Sequence, residues 1–155
     1  MINLKPHSTW LEQSRTLSDM SLHVQIITPQ KTVFEADADS VIIPSMEGEL
    51  TVLTHHVPLF TPLVDGIVEL KTEKDDYFFS IGGGYLETDG KKAIILVSRA
   101  SGQDEVDEKE VKLAEERARK MVVEAKTDEE RQQAMESLRR STIDIKLLQK
   151  VRRKH

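Results

Sequence analysis

Two histidines and two carboxylates stand close together in Glu47-Gly48-Glu49-Leu50-Thr51-Val52-Leu53-Thr54-His55-His56. These are residue types that ligate metals or move protons. Adjacent side chains on an extended segment point to opposite faces, so His55 and His56 do not easily share one ion. His56 reads instead as a turn residue with a satisfied hydrogen bond. A second candidate is the triplet Gly82-Gly83-Gly84. A phosphate-cradling loop needs a helix after it and, in a P-loop, a Lys-Ser/Thr pair. Here Tyr85-Leu86-Glu87 follows and reads as a strand, so the glycines imply a bulge or a close approach of two backbones. The chain has no cysteine, which excludes a disulfide framework and thiolate metal sites. It also has no Gly-x-Ser-x-Gly elbow, and nucleophilic catalysis therefore has no candidate. No catalytic residue, metal site or cofactor is expected.

The elements around these residues fall into three parts. Residues 1–21 are punctuated by Pro6, Ser8, Ser14 and Ser18 and read as a flexible extension, with Thr9–Leu17 as a candidate short helix and Met20 as a candidate natural start. Residues 22–100 read as a β-sandwich. Leu22-His23-Val24-Gln25-Ile26 and Gly66-Ile67-Val68-Glu69-Leu70-Lys71 alternate apolar with polar, the period of a strand with one buried face. Ser40–Ile43 (ended by Pro44), Leu50–Leu53, Tyr77–Ile81 and Ala93–Val97 add short strand-like runs, and Asp89-Gly90 is a hairpin signal. Many short strands with close turns indicate a sandwich or flattened barrel.

Residues 101–155 read as a helical hairpin. Val111, Ala114, Ala118, Met121 and Ala125 recur at spacings of three and four, as do Ala134, Leu138, Ser141, Ile145 and Leu148. That is the seam of two paired helices. Thr127 and Glu130 form a capping-box signature between them, and so short a connection makes the helices antiparallel. The fold class is thus α+β, a two-sheet β-sandwich followed by an antiparallel two-helix hairpin. An Ala-rich seam buries little area, so the hairpin needs a surface to lean on.

Charge separates along the chain. Residues 22–100 carry six Lys/Arg against twelve Asp/Glu, and residues 104–130 carry six against eleven. Residues 131–155 reverse this, with eight bases against Glu136 and Asp144. The basic second helix can pair with the acidic first one or seek an acidic partner surface. A net charge of −5 and the lack of interleaved aromatics argue against nucleic acid. No apolar run approaches the ~20 residues of a membrane span, so no direct membrane insertion is expected.

Thr28-Pro29, Glu47-Gly48-Glu49-Leu50, His56-x-Pro58-Leu59 and Gly82-Gly83-Gly84-Tyr85-Leu86-Glu87 occur in this order. Together they resemble the epsilon subunit of bacterial F-type ATP synthases. The resemblance implies a non-catalytic rotor subunit of the central stalk that couples ion translocation to ATP synthesis. Its partners would be the gamma subunit, the c-ring and the catalytic beta (and alpha) subunits. Its place would be peripheral, in the F1 sector at the cytoplasmic face of the plasma (inner) membrane. Glu49 and His56 match positions that face the polar loops of the ring. The hairpin would extend towards the acidic part of the beta subunits and restrain ATP hydrolysis, which suits Arg131, Arg139, Arg140, Lys146 and Lys150. Some relatives bind ATP through Ile/Leu-Asp-x-x-Arg-Ala. Here the segment is Val106-Asp107-Glu108-Lys109-Glu110-Val111, and Glu110 in place of Arg would repel a triphosphate. A stand-alone sandwich adaptor whose basic hairpin binds another protein is the alternative.

Overall fold

A computed structural model describes residues 21–154; the expectations for the N-terminal extension, including Met20 and the Thr9–Leu17 helix, lie outside the described residues. Ten strands come first: β1 (Leu22–Ile27), β2 (Thr32–Ala38), β3 (Ser40–Ser45), β4 (Gly48–Leu53), β5 (Leu59–Leu63), β6 (Gly66–Lys71), β7 (Asp76–Ile81), β8 (Gly84–Thr88), β9 (Lys92–Val97) and β10 (Ala100–Gly102). A 3-10 turn at Gln103–Glu105 leads to helix α1 (Glu108–Glu124) and helix α2 (Asp128–Lys154).

The ladder runs β10-β7-β6-β3-β5-β8-β9-β1-β2, with β4 beside β3. Among the described residues only the β1–β9 pair is parallel. Strand β3 joins the two halves: Ser40–Ile42 pair with β6, whereas Ser45 bridges to Leu63 of β5. Pro44 does not end this strand, because there β3 has left β6 and not yet met β5. A residue without an N–H costs no hydrogen bond at such a place, and its carbonyl accepts from Val64 N–H at 3.1 Å. The folded-over ladder encloses Leu22, Val24, Ile26, Val41, Ile43, Val52, Val68, Leu70, Phe79, Ile81, Leu86 and Ile95.

The glycine triplet is a place of close approach. Gly84 pairs with Val97, and a Cβ on it would lie 1.9 Å from the Leu96 carbonyl oxygen. Gly83 N–H donates to Asp65 Oδ1 at 2.7 Å.

Helix α1 is capped by Asp107, whose carboxylate accepts the Glu110 N–H at 3.0 Å. Helix α2 starts with the expected capping box: Thr127 Oγ1 accepts the Glu130 N–H at 3.1 Å, and the Glu130 carboxylate accepts the Thr127 N–H at 3.4 Å and the Lys126 N–H at 2.8 Å. Arg152 at the end of α2 pairs with Glu108 at the start of α1, so the helices are antiparallel. Their seam is looser than the spacing implied. Ala118, Ala134 and Ser141 are buried, but Ala114 and Met121 are exposed and line an open cleft. The reason is that α2 has a second apolar face, Ile143 and Leu147, both buried and offset from the seam. Burying two such side chains contributes about 1.5–3 kcal/mol each, which draws α2 onto the sandwich.

On the outer face of β1 and β2, His23 Nδ1 lies 2.8 Å from Asp37 Oδ1 and Nε2 lies 3.1 Å from Glu35 Oε1. Both nitrogens can donate only in the imidazolium. Hydrogen bonds to Asp37 and then Glu35 raise the His23 pKa above its ordinary 6.5. The stabilisation is full below the unfolded-state pKa and is lost as pH rises through the raised folded value. Thermal melts from about pH 5 to about pH 9 should show the chain losing a stability increment on the alkaline side that His23→Gln never has. Gly84→Ala should cost at least about 2 kcal/mol in denaturant unfolding, because its Cβ meets backbone that cannot yield.

Candidate partner-binding surfaces

Among the described residues strand β4 pairs only with β3, which leaves it as an edge there. The β3–β4 turn is closed by Ser45 Oγ, which donates to the Gly48 carbonyl at 2.8 Å, with Gly48 at φ 121°. Just beyond it Glu49 stands opposite Pro44 with its side chain 73 % exposed. His56 lies past the other end of β4. The strand from Glu49 to Leu53 alone spans about 13 Å, so the two expected contact residues are not brought together; they bound one edge.

The His55-His56 turn is not an extended segment. His55 sits at φ 63°, in the left-handed region, and its N–H donates to the Gly90 carbonyl at 2.7 Å. His56 N–H donates to the Leu53 carbonyl at 3.1 Å, and its Nδ1, in the tautomer that carries hydrogen there, donates to the Val57 carbonyl at 2.8 Å. Gly90 is pressed against this turn, since a Cβ on it would lie 2.4 Å from the His56 carbonyl oxygen. The β4–β5 turn is thus fixed to the β8–β9 turn by backbone contacts.

The five basic residues singled out on α2 spread around the helix. Arg131, Arg139 and Lys146 line one open groove with Met135, Leu138 and Asp65. Arg140 lies on another side, in the cleft towards α1 with Glu110 and Arg117. Lys150 turns to the sandwich, where its Nζ is 3.0 Å from Glu69 and 3.9 Å from Glu49. Asp107, Glu110 and Val111, the segment compared above with an ATP motif, therefore consist of a helix cap and two residues of the α1–α2 cleft.

Three groups escaped the sequence reading. Glu69 is 4 % exposed and meets Lys150, Lys154 and, at 3.9 Å, Lys71. Burial acts to raise its pKa, but hydrogen bonds from Lys154 and Lys150 outweigh this and hold it below the ordinary glutamate value. Lys154 also reaches Asp76 at 2.6 Å and lies 5.1 Å from the centre of the Phe78 ring; its pKa is raised by Asp76 first and then Glu69. Buried Asp144 of α2 faces half-buried Arg99 at 3.9 Å without a hydrogen bond. Burial lowers the Arg99 pKa, and Asp144 opposes that. Finally, Pro62, Tyr85 and Leu96 are ladder partners on the outer face of β5, β8 and β9. Phe60, two residues along β5, stacks on Tyr85 with ring centres 5.3 Å apart. Phe60, Tyr85 and Leu96 are 65, 51 and 48 % exposed.

A sandwich with a helical hairpin on one sheet and an apolar patch on the other defines a protein that works through its surfaces. Residues 21–103 match the family described as ATP synthase, Delta/Epsilon chain, beta-sandwich domain. The chain is 36 % identical to the ATP synthase epsilon chain of Halalkalibacterium halodurans over 79 % of its own length and 92 % of that relative. It is 36 % identical to that of Moorella thermoacetica over 81 and 95 %, and 35 % identical to the chloroplastic epsilon chain of Gracilaria tenuistipitata over 81 and 94 %. The chain belongs to the ATP synthase epsilon chain family and is a non-catalytic member of it. Its fold is shared with a chain in the Euglena gracilis mitochondrial ATP synthase (OSCP/F1/c-ring), at a TM-score of 0.68 and 22 % identity over 77 % of this chain and 76 % of that one.

The left-handed turn yields a local prediction. His55→Gly should change unfolding free energy by no more than about 0.5 kcal/mol, whereas His55→Val should cost about 1–2 kcal/mol, since a β-branched residue is excluded from that backbone region.

Proposed function

We propose that this chain is a central-stalk subunit of an F-type ATP synthase. Its sandwich seats on the gamma subunit and the c-ring, and transmits rotation that couples ion translocation to ATP synthesis. It sits peripherally, at the cytoplasmic face of the membrane that holds the ring; no helix among the described residues is long and apolar enough to cross a membrane.

The observation that carries this reading is the outer face of β5, β8 and β9. A stacked Phe60–Tyr85 pair beside Leu96 and Pro62 leaves aromatic area in water. Aromatic residues of this kind anchor protein interfaces, and gamma is the partner we assign to them. Glu49 and His56 bound the β4 edge and face the polar loops of the ring, where a carboxylate and an imidazole can pair across a polar rim.

The hairpin is a brake on ATP hydrolysis. Outside Ile143 and Leu147, α2 is held to the sandwich mostly by ion pairs, and Arg131, Arg139, Arg140, Lys146 and Lys150 suit the acidic surface of the catalytic beta and alpha subunits. Such pairs break and re-form readily, and the apolar area lost on release is that of Ile143, Leu147 and the Phe78 they leave uncovered.

Phe60→Asp combined with Tyr85→Ser should weaken association with a gamma–c-ring complex by at least about 30-fold while leaving the melting temperature unchanged. Undiminished association would remove this face from the interface. Deleting residues 127–155 should raise ATP hydrolysis by the reconstituted complex without preventing assembly; an unaltered rate would contradict the brake.

A further inference from the structure

The outward face of β6 and β7 carries Ile67, Glu69, Phe78 and Ser80, alternating with the core residues Val68, Leu70, Phe79 and Ile81. Glu69, Phe78 and Ser80 are nonetheless buried, because α2 lies over them. A carboxylate in such a place must be paired, and it is: Lys150 and Lys154, one helical turn apart, both reach Glu69. Asp76 takes a second contact from Lys154. Phe78 lies beneath the same ammonium, and Glu49 lies 3.9 Å from Lys150. Lys71 on β6 also faces Glu69, at 3.9 Å, and Lys146 and Arg153 line the cleft beside Lys150 and Glu49, as Lys74 and Asp75 do beside Lys154 and Asp76. The lysines are about one-third exposed whereas Glu69 is not, so the acceptor is built into the sheet and the donors arrive with the helix.

We propose that Glu69, flanked by Asp76, is a latch: its occupation by Lys150 and Lys154 decides how much of the time α2 lies on the sandwich. This rests on α2 being the detachable element assigned above. Lys150 belongs to both engagements, so an acidic partner surface competes with Glu69 for the same ammonium. The latch is opened by whatever supplies that surface or screens the pair, and partly exposed ammoniums are screened by salt.

The chain has no cysteine, so one introduced thiol reports alone. Ser80 is buried under α2 with an unpartnered hydroxyl, and Ser80→Cys loses no hydrogen bond. Its labelling rate by a thiol reagent measures opening of α2 from β7, while Ala93→Cys in the sandwich core measures opening of the sandwich. In the isolated full-length chain, Glu69→Gln should raise the Ser80→Cys rate at least about tenfold, the factor for losing a charge-assisted hydrogen bond, and leave Ala93→Cys unchanged. Raising NaCl from about 0.05 to about 0.5 M should speed Ser80→Cys several-fold in the parent and little in Glu69→Gln. Lys150→Gln with Lys154→Gln repeats the test from the helix side without touching the sheet. Unchanged Ser80→Cys labelling in both variants, or an equal rise at both cysteines, overturns the latch. No ATP synthase partner enters this measurement, so its failure is separate from failure of the stalk reading.

Discussion

The sheet formed by β6 and β7 is covered twice, and the arrangement of the molecule depends on that. Val68, Leu70, Phe79 and Ile81 fill the sandwich, while Glu69, Phe78 and Ser80 on the opposite face are closed off by α2. A sheet face that buries a carboxylate cannot be covered by an apolar helix, because an unpaired buried charge costs several kcal/mol. The covering helix must therefore bring cations, and α2 ends in Lys150, Arg152, Arg153 and Lys154. Because a buried ion pair roughly offsets its own desolvation, the cluster specifies where α2 lies more than it strengthens the fold. Ile143 and Leu147 supply the apolar attraction. The result is a helix held in one register by interactions that water and a competing acidic surface can replace.

Much of this was legible in the residues. The alternation in Leu22–Ile26 gave β1 with the burial it implied, and Asp89-Gly90 marked the β8–β9 turn. Thr127 and Glu130 formed the capping box where the spacing put it. The glycine triplet allows the close approach expected of it at Gly84. Strands β2, β5 and β10 leave no clear mark in the sequence, since β2 carries Glu35 and Asp37 within its run, β5 contains Pro62 and β10 is three residues long.

The site was less legible than the fold. Alternation in Ile67-Val68-Glu69-Leu70-Lys71 marks one face as solvent, and nothing local says that a helix some eighty residues later will cover it. Ile143 and Leu147 were hidden for a related reason: a two-helix seam explains period-seven spacing, so a second stripe offset from it reads as scatter. His55 and His56 looked like neighbours on a strand because a left-handed φ at a non-glycine residue leaves no mark in the sequence. The aromatic patch depends on register, which places Pro62, Tyr85 and Leu96 side by side from three separate strands.

The most direct test of the stalk assignment is reconstitution of this chain with a purified ATP synthase F1 core depleted of its own epsilon subunit, following association and ATP hydrolysis together. Tight association of one chain per complex, with a fall in hydrolysis, is the predicted result. Absence of association at micromolar concentrations would contradict the assignment, and would leave an adaptor that uses the same two surfaces on another partner.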